Sequence, residues 1–536
     1  MAAQITGFTA QFWSFRMISM VCIGLPALGL AYLFVNVIYN IYFHPLRRYP
    51  GPKLWAATRI PYTRSSLSGQ VHRRILALHR EYGPVVRIAP DELAYNHPDA
   101  WRDIHGHLKN GTGDHGRDPV FTVESRHSII GAAREDHSRF RRALSHGFSA
   151  QSMAKQEPII KGYVDLLLRK LQEKSAGGTR SLDMVSWYNW TTFDIIGDLA
   201  FGEPFNCLDD SDYHPWVKLI FESVKAGTFR LNARRYPLVE KLLMNFLPAN
   251  LKRKRAQHVA LTHEKVTKRL SAKSARPDFM DSMLRKTDAR ELTFDELKSN
   301  ASTLIIAGSE TTATALSGIT YFLLSDANVH RKLNDEIRGA FASEGEINMV
   351  SVQKLGYLQA VINEGLRMYP PVPTGITRRV TDDGGVFLGQ YVPSGKTMRS
   401  PRFVKGATKE NEMLTEEGKT KQALVQVWHW PAYHDPENFT LPDSFIPERW
   451  LNDPRFAGDR RDGFQPFTVG PMNCIGRNLA YAEMRLILAR LLWNFDMTLA
   501  EDSKGWYERS KVYMLWEKGP VNVVLVPRDL GSGQAA

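Results

Sequence analysis

The sequence predicts a mainly α-helical domain with a small β component, preceded by one membrane-spanning helix. Three observations carry that expectation. Met17 to Phe43 contains no Asp, Glu, Lys, Arg or His, and it is longer than the roughly 20 residues a helix needs to cross a bilayer core. From Glu135 onward apolar residues recur at helical spacing, and Leu292 to Met368 holds no proline to interrupt a helix. Short β-type runs gather around Pro90 and beyond Pro370.

Taken in order, residues 1–16 are expected to be a short lumenal N-terminus and 17–43 the transmembrane anchor. Arg47, Arg48 and Lys53 follow the apolar stretch, against a lone Arg16 before it. That asymmetry places the bulk of the chain on the cytosolic side; a buried core helix is the competing reading. Pro45, Pro50 and Pro52 stiffen a hinge over 44–54. One domain is expected over 55–528, with a tail at 529–536. Val85 to Ala89 and Leu93 to Asn96 read as strands around a Pro90-Asp91 turn. Ile159 to Lys174 reads as a helix closed by Gly177-Gly178, and Trp187 to Ala200 as another ending near Gly202. Thr293-Phe294-Asp295-Glu296 has the capping-box pattern. It opens a helix running to about Ser325 that is apolar nearly all round, so it should be central and buried. Helices over Asn328 to Ala342 and Leu355 to Arg367 follow. The basic run Lys252 to Arg255 reads as a solvated helix face or a membrane-surface contact. Arg399 to Gln426 is charged, rich in Lys and Glu and unlike its flanks.

The chain has 536 residues, 43% hydrophobic and 23% charged, with a formal net charge of +13. Such a composition excludes a disordered protein. The positive balance suits an acidic protein partner, an anionic membrane surface or nucleic acid; the family resemblance given below implies the first two and no nucleic acid. Cys22, Cys207 and Cys474 are far apart and odd in number. They make neither a disulfide framework nor a zinc spacing. No Gly-rich dinucleotide fingerprint is present, so the chain is not expected to bind a nicotinamide cofactor itself.

Chemistry concentrates in a few segments. Phe467-Thr468-Val469-Gly470-Pro471-Met472-Asn473-Cys474-Ile475-Gly476 lies just ahead of an expected amphipathic helix, Asn478 to Leu492. A cysteine in a turn before a helix N-terminus has its sulfur near the positive end of the dipole. Gly470 and Gly476 let backbone approach a flat ligand, and Phe467 can shield the sulfur. The bland alternative is a small buried cysteine. Within the long helix, Ala307-Gly308 open space, and Glu310-Thr311 set a carboxylate beside a hydroxyl that together can relay protons. The alternative is a Thr cluster bonded back to its own helix. Glu364 and Arg367, three apart, share one helix face and alone would read as a surface ion pair.

These segments resemble the cytochrome P-450 family. The cysteine turn matches its signature F-x-x-G-x-(R or H)-x-C-x-G at Phe467, Gly470, Cys474 and Gly476, and departs at Met472. Ala307 to Thr312 matches the oxygen-activation motif, Glu364 to Arg367 matches E-x-x-R, and Pro447-Glu448-Arg449-Trp450 matches P-E-R-(F or W). The resemblance covers nearly the whole chain and implies the cytochrome P-450 fold. It implies haem as cofactor with Cys474 as the iron ligand, Glu310 and Thr311 in proton delivery, and Glu364, Arg367 and Arg449 as a buried structural triad. It gives His137, Arg141 and Arg379 as propionate contacts that compensate for Met472. Ile306, Ala307, Thr311, Val372, Thr374 and Met514 are implied to face a lipophilic small-molecule substrate. The implied reaction inserts one oxygen atom from O2, with electrons from NADPH through a separate cytochrome P-450 reductase docking near Arg139, Arg141, Arg142 and Arg477. The wording is most similar to fungal microsomal enzymes of secondary metabolism, which implies the endoplasmic reticulum membrane. Against the family, 399–426 is an insertion, either a surface loop or an unremoved intron. Two alternatives stay open: a haem-thiolate isomerase or dehydratase working without oxygen, and an inactive haem-binding homologue.

Overall fold

The computed structural model describes residues 23–24, 26–107, 114–123, 125–245, 249–272, 276, 278–284, 292–394 and 423–529. Helices dominate, and the strands form four small sheets among the described residues. The apolar helix Pro26–Phe43 stands outside the packed protein, with Leu28, Leu33 and Phe34 exposed; residues 17–22 of the expected anchor lie outside the described residues. That exposure removes the buried-core reading. The foot of this helix is bonded to the domain. Asn40 Nδ2 donates to Ala57 O at 2.8 Å, and Arg87 Nη1 donates to Asn40 O at 2.9 Å.

Val85–Ala89 pairs antiparallel with Glu92–Tyr95 across the Pro90-Asp91 turn. Glu92–Tyr95 pairs parallel with Leu424–Val427. That strand pairs with Arg378–Arg379, which pairs with Gly116–Arg117 at the edge. Leu424 to Gln426 fall within the expected 399–426 insertion. They are instead buried in the central strand of the five-stranded sheet. A four-residue strand is too short to show a pattern beside a Lys- and Glu-rich flank, which is why it was missed. The rest of that stretch, 399–422, lies outside the described residues.

The helix Ala150–Ser175 begins well before the expected Ile159 and carries Pro158 inside it. Its start is set by Ser149, whose hydroxyl accepts from Ser152 N. Met184–Phe201 is capped by Asp183 and ends at Gly202, in the left-handed conformation. Phe294–Ser325 begins in a true capping box, with Glu296 N donating to Thr293 Oγ1 (3.3 Å) and Thr293 N to Glu296 Oε2 (2.8 Å). It lies against Met184–Phe201 through Gly308, where a Cβ would come within 2.7 Å of Ile196 Cδ1. From Ser309 to Leu323 every residue except Thr311 is buried. Ala327–Ala340 and Gly356–Met368 follow. The helix after Cys474, Arg477–Asn494, is buried on nearly every side from Ala482 to Trp493. The amphipathic reading of it is corrected: the helices Ala150–Ser175, Phe294–Ser325, Ala327–Ala340 and Gly356–Met368 and the strand Phe495–Leu499 lie around it, so its polar residues are enclosed too. Lys252 to Arg255 falls in the helix Ala249–Ser271, where Arg253 is exposed.

Candidate active site

The cysteine turn is shaped by two left-handed residues, Thr468 and Gly470. A Cβ at Gly470 would collide with the His105 carbonyl, so only glycine lets the turn close against that segment. Asn473 N donates to Gly470 O (3.2 Å) and Cys474 N to Phe467 O (2.9 Å). Gly476 caps the helix Arg477–Asn494, and its N–H points at the Cys474 sulfur. Burial pushes the Cys474 thiol up; the Gly476 amide and the Arg141 and Arg477 charges pull the other way. Cys474 is surrounded by protein, yet its side chain is exposed. The sulfur therefore faces an interior space. Phe467 lies against Tyr481, with ring centroids 5.2 Å apart.

The long helix presents Ala307, exposed, and Thr311, half-buried, one turn apart on its open face. Thr311 Oγ1 donates to Ala307 O at 2.6 Å. The structure does not bring Glu310 to Thr311. Adjacent residues on a helix point about 100° apart, and Glu310 turns into protein. There its Oε1 pairs with Lys518 Nζ at 2.5 Å and accepts from Thr314 Oγ1 at 3.1 Å, while Oε2 has no partner.

Sequence reasoning missed Glu483, which carries no sign in sequence beyond being one acidic residue on a helix. It is buried on Arg477–Asn494, bonded to Thr312, and no cation pairs with it among the described residues. Burial pushes its carboxyl up to about 8, against the Thr312 hydroxyl, so it is neutral at pH 7. The unfolded chain loses this proton near pH 4.3, so the unfolded state binds fewer protons than the native state between there and about 8. Stability should fall across that window as pH rises. Glu483→Gln is expected to remove on the order of 3–4 kcal/mol of that pH dependence, read from denaturation midpoints at pH 5 and pH 8; equal slopes in both proteins would contradict a proton held at Glu483.

A cluster of cations lies beside the cysteine turn. Arg141 Nη1 donates to Asn473 O (2.7 Å), and its other nitrogen bonds Asn473 Oδ1. Arg378 is buried; Nη1 donates to Met472 Sδ (2.7 Å) and Nε to His105 Nδ1 (3.2 Å). Arg379, expected at this place, points to the other face of its strand and is half-buried near Gly116. Alternation along a strand admits only one of two adjacent residues. Arg117, also missed, lies directly across from Arg378, and its Nε has no partner. Burial drags Arg117 to about 9 and Arg378 to about 10, so both stay charged at neutral pH. His137 is pushed down to about 4 by burial and by Arg117, Arg141 and Arg378, which leaves it uncharged. Among the described residues none of these three arginines forms an ion pair with a carboxylate. Buried cations without counter-ions are costly. A sulfur facing an interior space beside such a cluster fits a planar ligand that carries a thiolate-binding metal and two carboxylates.

Glu364, Arg367 and Arg449 are fully buried and meet. Arg367 Nη2 and Arg449 Nε both reach Glu364 Oε1, at 2.8 and 3.0 Å. Trp450 Nε1 donates to Glu364 Oε2 (2.9 Å), and Asp459, a member sequence reasoning missed, pairs with Arg449. Ile306, Val372, Thr374 and Met514 are each half-buried. Their segments converge: Trp516 Nε1 bonds Pro370 O (2.7 Å), and Lys518 reaches Glu310. Of the basic residues expected to meet a redox partner, Arg142 and Arg477 are exposed. Arg139 is bound to Glu296 and Asp136, and Arg141 to Asn473.

A family model described as Cytochrome P450 matches residues 49–401 and 400–523. The chain is 48% identical over 503 residues to the trichothecene C-15 hydroxylase of Fusarium sporotrichioides, covering 93% of this chain and 97% of that protein. It is 45% identical over 512 residues to the cytochrome P450 monooxygenase astA of Talaromyces wortmannii, 95% and 97% of the two chains. With the averantin hydroxylase of Dothistroma septosporum the identity is 42% over 514 residues, 95% and 91%.

Proposed function

Since the chain belongs to the cytochrome P450 family, a family of haem-thiolate monooxygenases, we propose that it inserts one oxygen atom from O2 into a lipophilic secondary metabolite. NADPH supplies the electrons through a separate flavoprotein reductase. The observation that carries this reading is the Cys474 sulfur, exposed to an interior space beside the buried Arg117 and Arg378, which among the described residues form no ion pair with a carboxylate. Haem bound there supplies iron that activates dioxygen, with the thiolate pushing electron density that favours O–O cleavage. Cys474 would hold the iron, and Arg117, Arg141 and Arg378 the propionates. Glu364, Arg367 and Arg449 act at a distance, holding the surrounding core.

The remaining work falls to the open face of the long helix. Thr311 Oγ1 now donates to Ala307 O; rotation about χ1 frees that hydroxyl to carry a proton into the interior space. Glu310, held by Lys518 and Thr314, sits behind it. Thr311→Ala is expected to lower product formation roughly 10²-fold while NADPH consumption continues. Comparison of product with NADPH consumed checks this; a variant as tightly coupled as the parent removes Thr311 from proton delivery.

Two relatives are named as hydroxylases, of a trichothecene and of averantin, which supports hydroxylation as the reaction. Ile306, Val372, Thr374 and Met514 would line the substrate side. The exposed Arg142 and Arg477 suit an acidic face of the reductase. The helix Pro26–Phe43 supports single-pass anchoring in the endoplasmic reticulum membrane with the domain cytosolic. Exposed Leu54, Ile60, Leu238 and Leu242 lie on segments joined by the Thr63–Tyr236 hydroxyl pair (3.0 Å), which supports a lipid-facing side next to that helix. The test is expression with a reductase under oxygen-18 gas, with candidate metabolites fed. Labelled product supports the proposal, and unlabelled product replaces it with an oxygen-independent rearrangement.

A further inference from the structure

Two helices that meet near the cysteine turn carry matching pairs of polar residues. On Gly356–Met368 they are Gln359 and Asn363, and on Arg477–Asn494 they are Tyr481 and Arg485. Within each pair a spacing of four puts both side chains on one face. The four close on one another. Tyr481 OH donates to Asn363 Oδ1 (3.2 Å), and Gln359 Nε2 donates to the same oxygen (2.8 Å). Arg485 Nε donates to Gln359 Oε1 (2.8 Å), and its Nη2 reaches that oxygen too. The Arg485 guanidinium then returns over the Tyr481 ring, 4.9 Å from the centroid. All four residues are half-buried. Among the described residues Arg485 forms no ion pair with a carboxylate; a neutral amide and the face of an aromatic ring stand in its place. The Tyr481 ring carries this box to the cysteine turn. It lies against Phe467, with centroids 5.2 Å apart and planes at 49°, and Phe467 O accepts from Cys474 N. Arg477, whose charge the Cys474 sulfur feels, stands 6.0 Å over the same ring.

We propose that Tyr481 is a positioning residue for the cover of the Cys474 sulfur. The box of Gln359, Asn363, Tyr481 and Arg485 locks the Tyr481 ring, and the locked ring holds Phe467 in one rotamer beside the cysteine. Phe467 so held keeps water from the sulfur. A phenylalanine on a turn has several rotamers open to it, and fixing one of them costs side-chain entropy. The edge-on ring contact and the cation behind it offset that cost. Tyr481 acts through Phe467, so the box matters to the sulfur only while that ring is present.

The inference rests on haem at Cys474. Its test holds the reduced carbon monoxide complex of the full-length holoprotein in dilute guanidinium and records how fast the thiolate-type band is lost, a readout independent of turnover. Tyr481→Ala is expected to speed that loss about tenfold, the scale of one aromatic pair. Tyr481→Phe, which keeps the ring and loses the bond to Asn363, is expected to speed it about threefold. Arg485→Met is expected to do the same. Phe467→Leu speeds the loss by itself, and adding Tyr481→Ala to it is expected to change the rate by less than about twofold. A full tenfold effect of Tyr481→Ala in the Phe467→Leu background would mean that the box only stabilises the fold, and overturns the proposal. A parent-like rate for Tyr481→Ala overturns it as well. Where Tyr481→Ala fails to fold, Arg485→Met decides: faster loss that vanishes in the Phe467→Leu background supports the proposal, and a parent-like rate refutes it. Parent protein without a thiolate-type band ends the haem reading and this inference together. Parent protein with that band, and variants that lose it no faster, end this inference alone.

Discussion

Cys474→Ala protein is expected to fold, to show no thiolate-type carbon monoxide band when reduced, and to lose product formation by at least about 10³-fold. The turn that presents the sulfur is built from main-chain bonds, Cys474 N to Phe467 O and Asn473 N to Gly470 O, and from the left-handed Gly470. None of these needs the thiol, so the loop should survive the substitution. No other described thiol can stand in. Cys207 is buried, bonded by His214 N, and burial pushes it up to about 12. Absorbance of the reduced carbon monoxide complex checks the expectation. A variant that keeps the parent spectrum would remove Cys474 from the iron, and with it the whole functional reading.

Glu364→Ala is expected to cost about 3–5 kcal/mol of stability, more than any surface change on this protein. Glu364 takes both charges and main-chain demand at once. Its Oε1 accepts from Arg367, Arg449 and Ile446 N, and its Oε2 from Arg367 Nε and Trp450 Nε1. Removing it strands Arg367, whose remaining partners are the carbonyls of Tyr433, Pro442 and Ser444 and the Met368 sulfur. Arg449 keeps Asp459 and should be less affected. Glu364→Gln keeps shape and two polar ends but not the charge, so an intermediate loss is expected. Guanidinium titration of holoprotein measures both. A loss under about 1 kcal/mol for Glu364→Ala would mean the buried cluster does not hold the core.

Legibility of the site follows a physical divide. The cysteine turn, the capping box at Thr293 and the Glu364–Arg367 pair were readable because each depends on residues a few positions apart. Which of the adjacent arginines Arg378 and Arg379 faces the cysteine turn is not legible locally, because it depends on pairing with Leu424–Val427, a strand reached across a long intervening segment. Glu310 was joined to Thr311 by adjacency, although helix azimuth separates them and Lys518, more than two hundred positions away, claims the carboxylate. Glu483 and Arg117 gave no local signal, since their meaning lies in burial.

By itself, then, the amino-acid order showed an apolar N-terminal stretch and a mainly helical class, consequences of composition and periodicity, whereas the haem-thiolate chemistry and Cys474 as its expected ligand came with the family resemblance that the short fixed motifs carry. Tertiary structure alone decided which cations are left unpaired, where each carboxylate turns and which strand is central. Those outcomes depend on how distant segments screen and desolvate one another, and desolvation has no counterpart in a linear pattern.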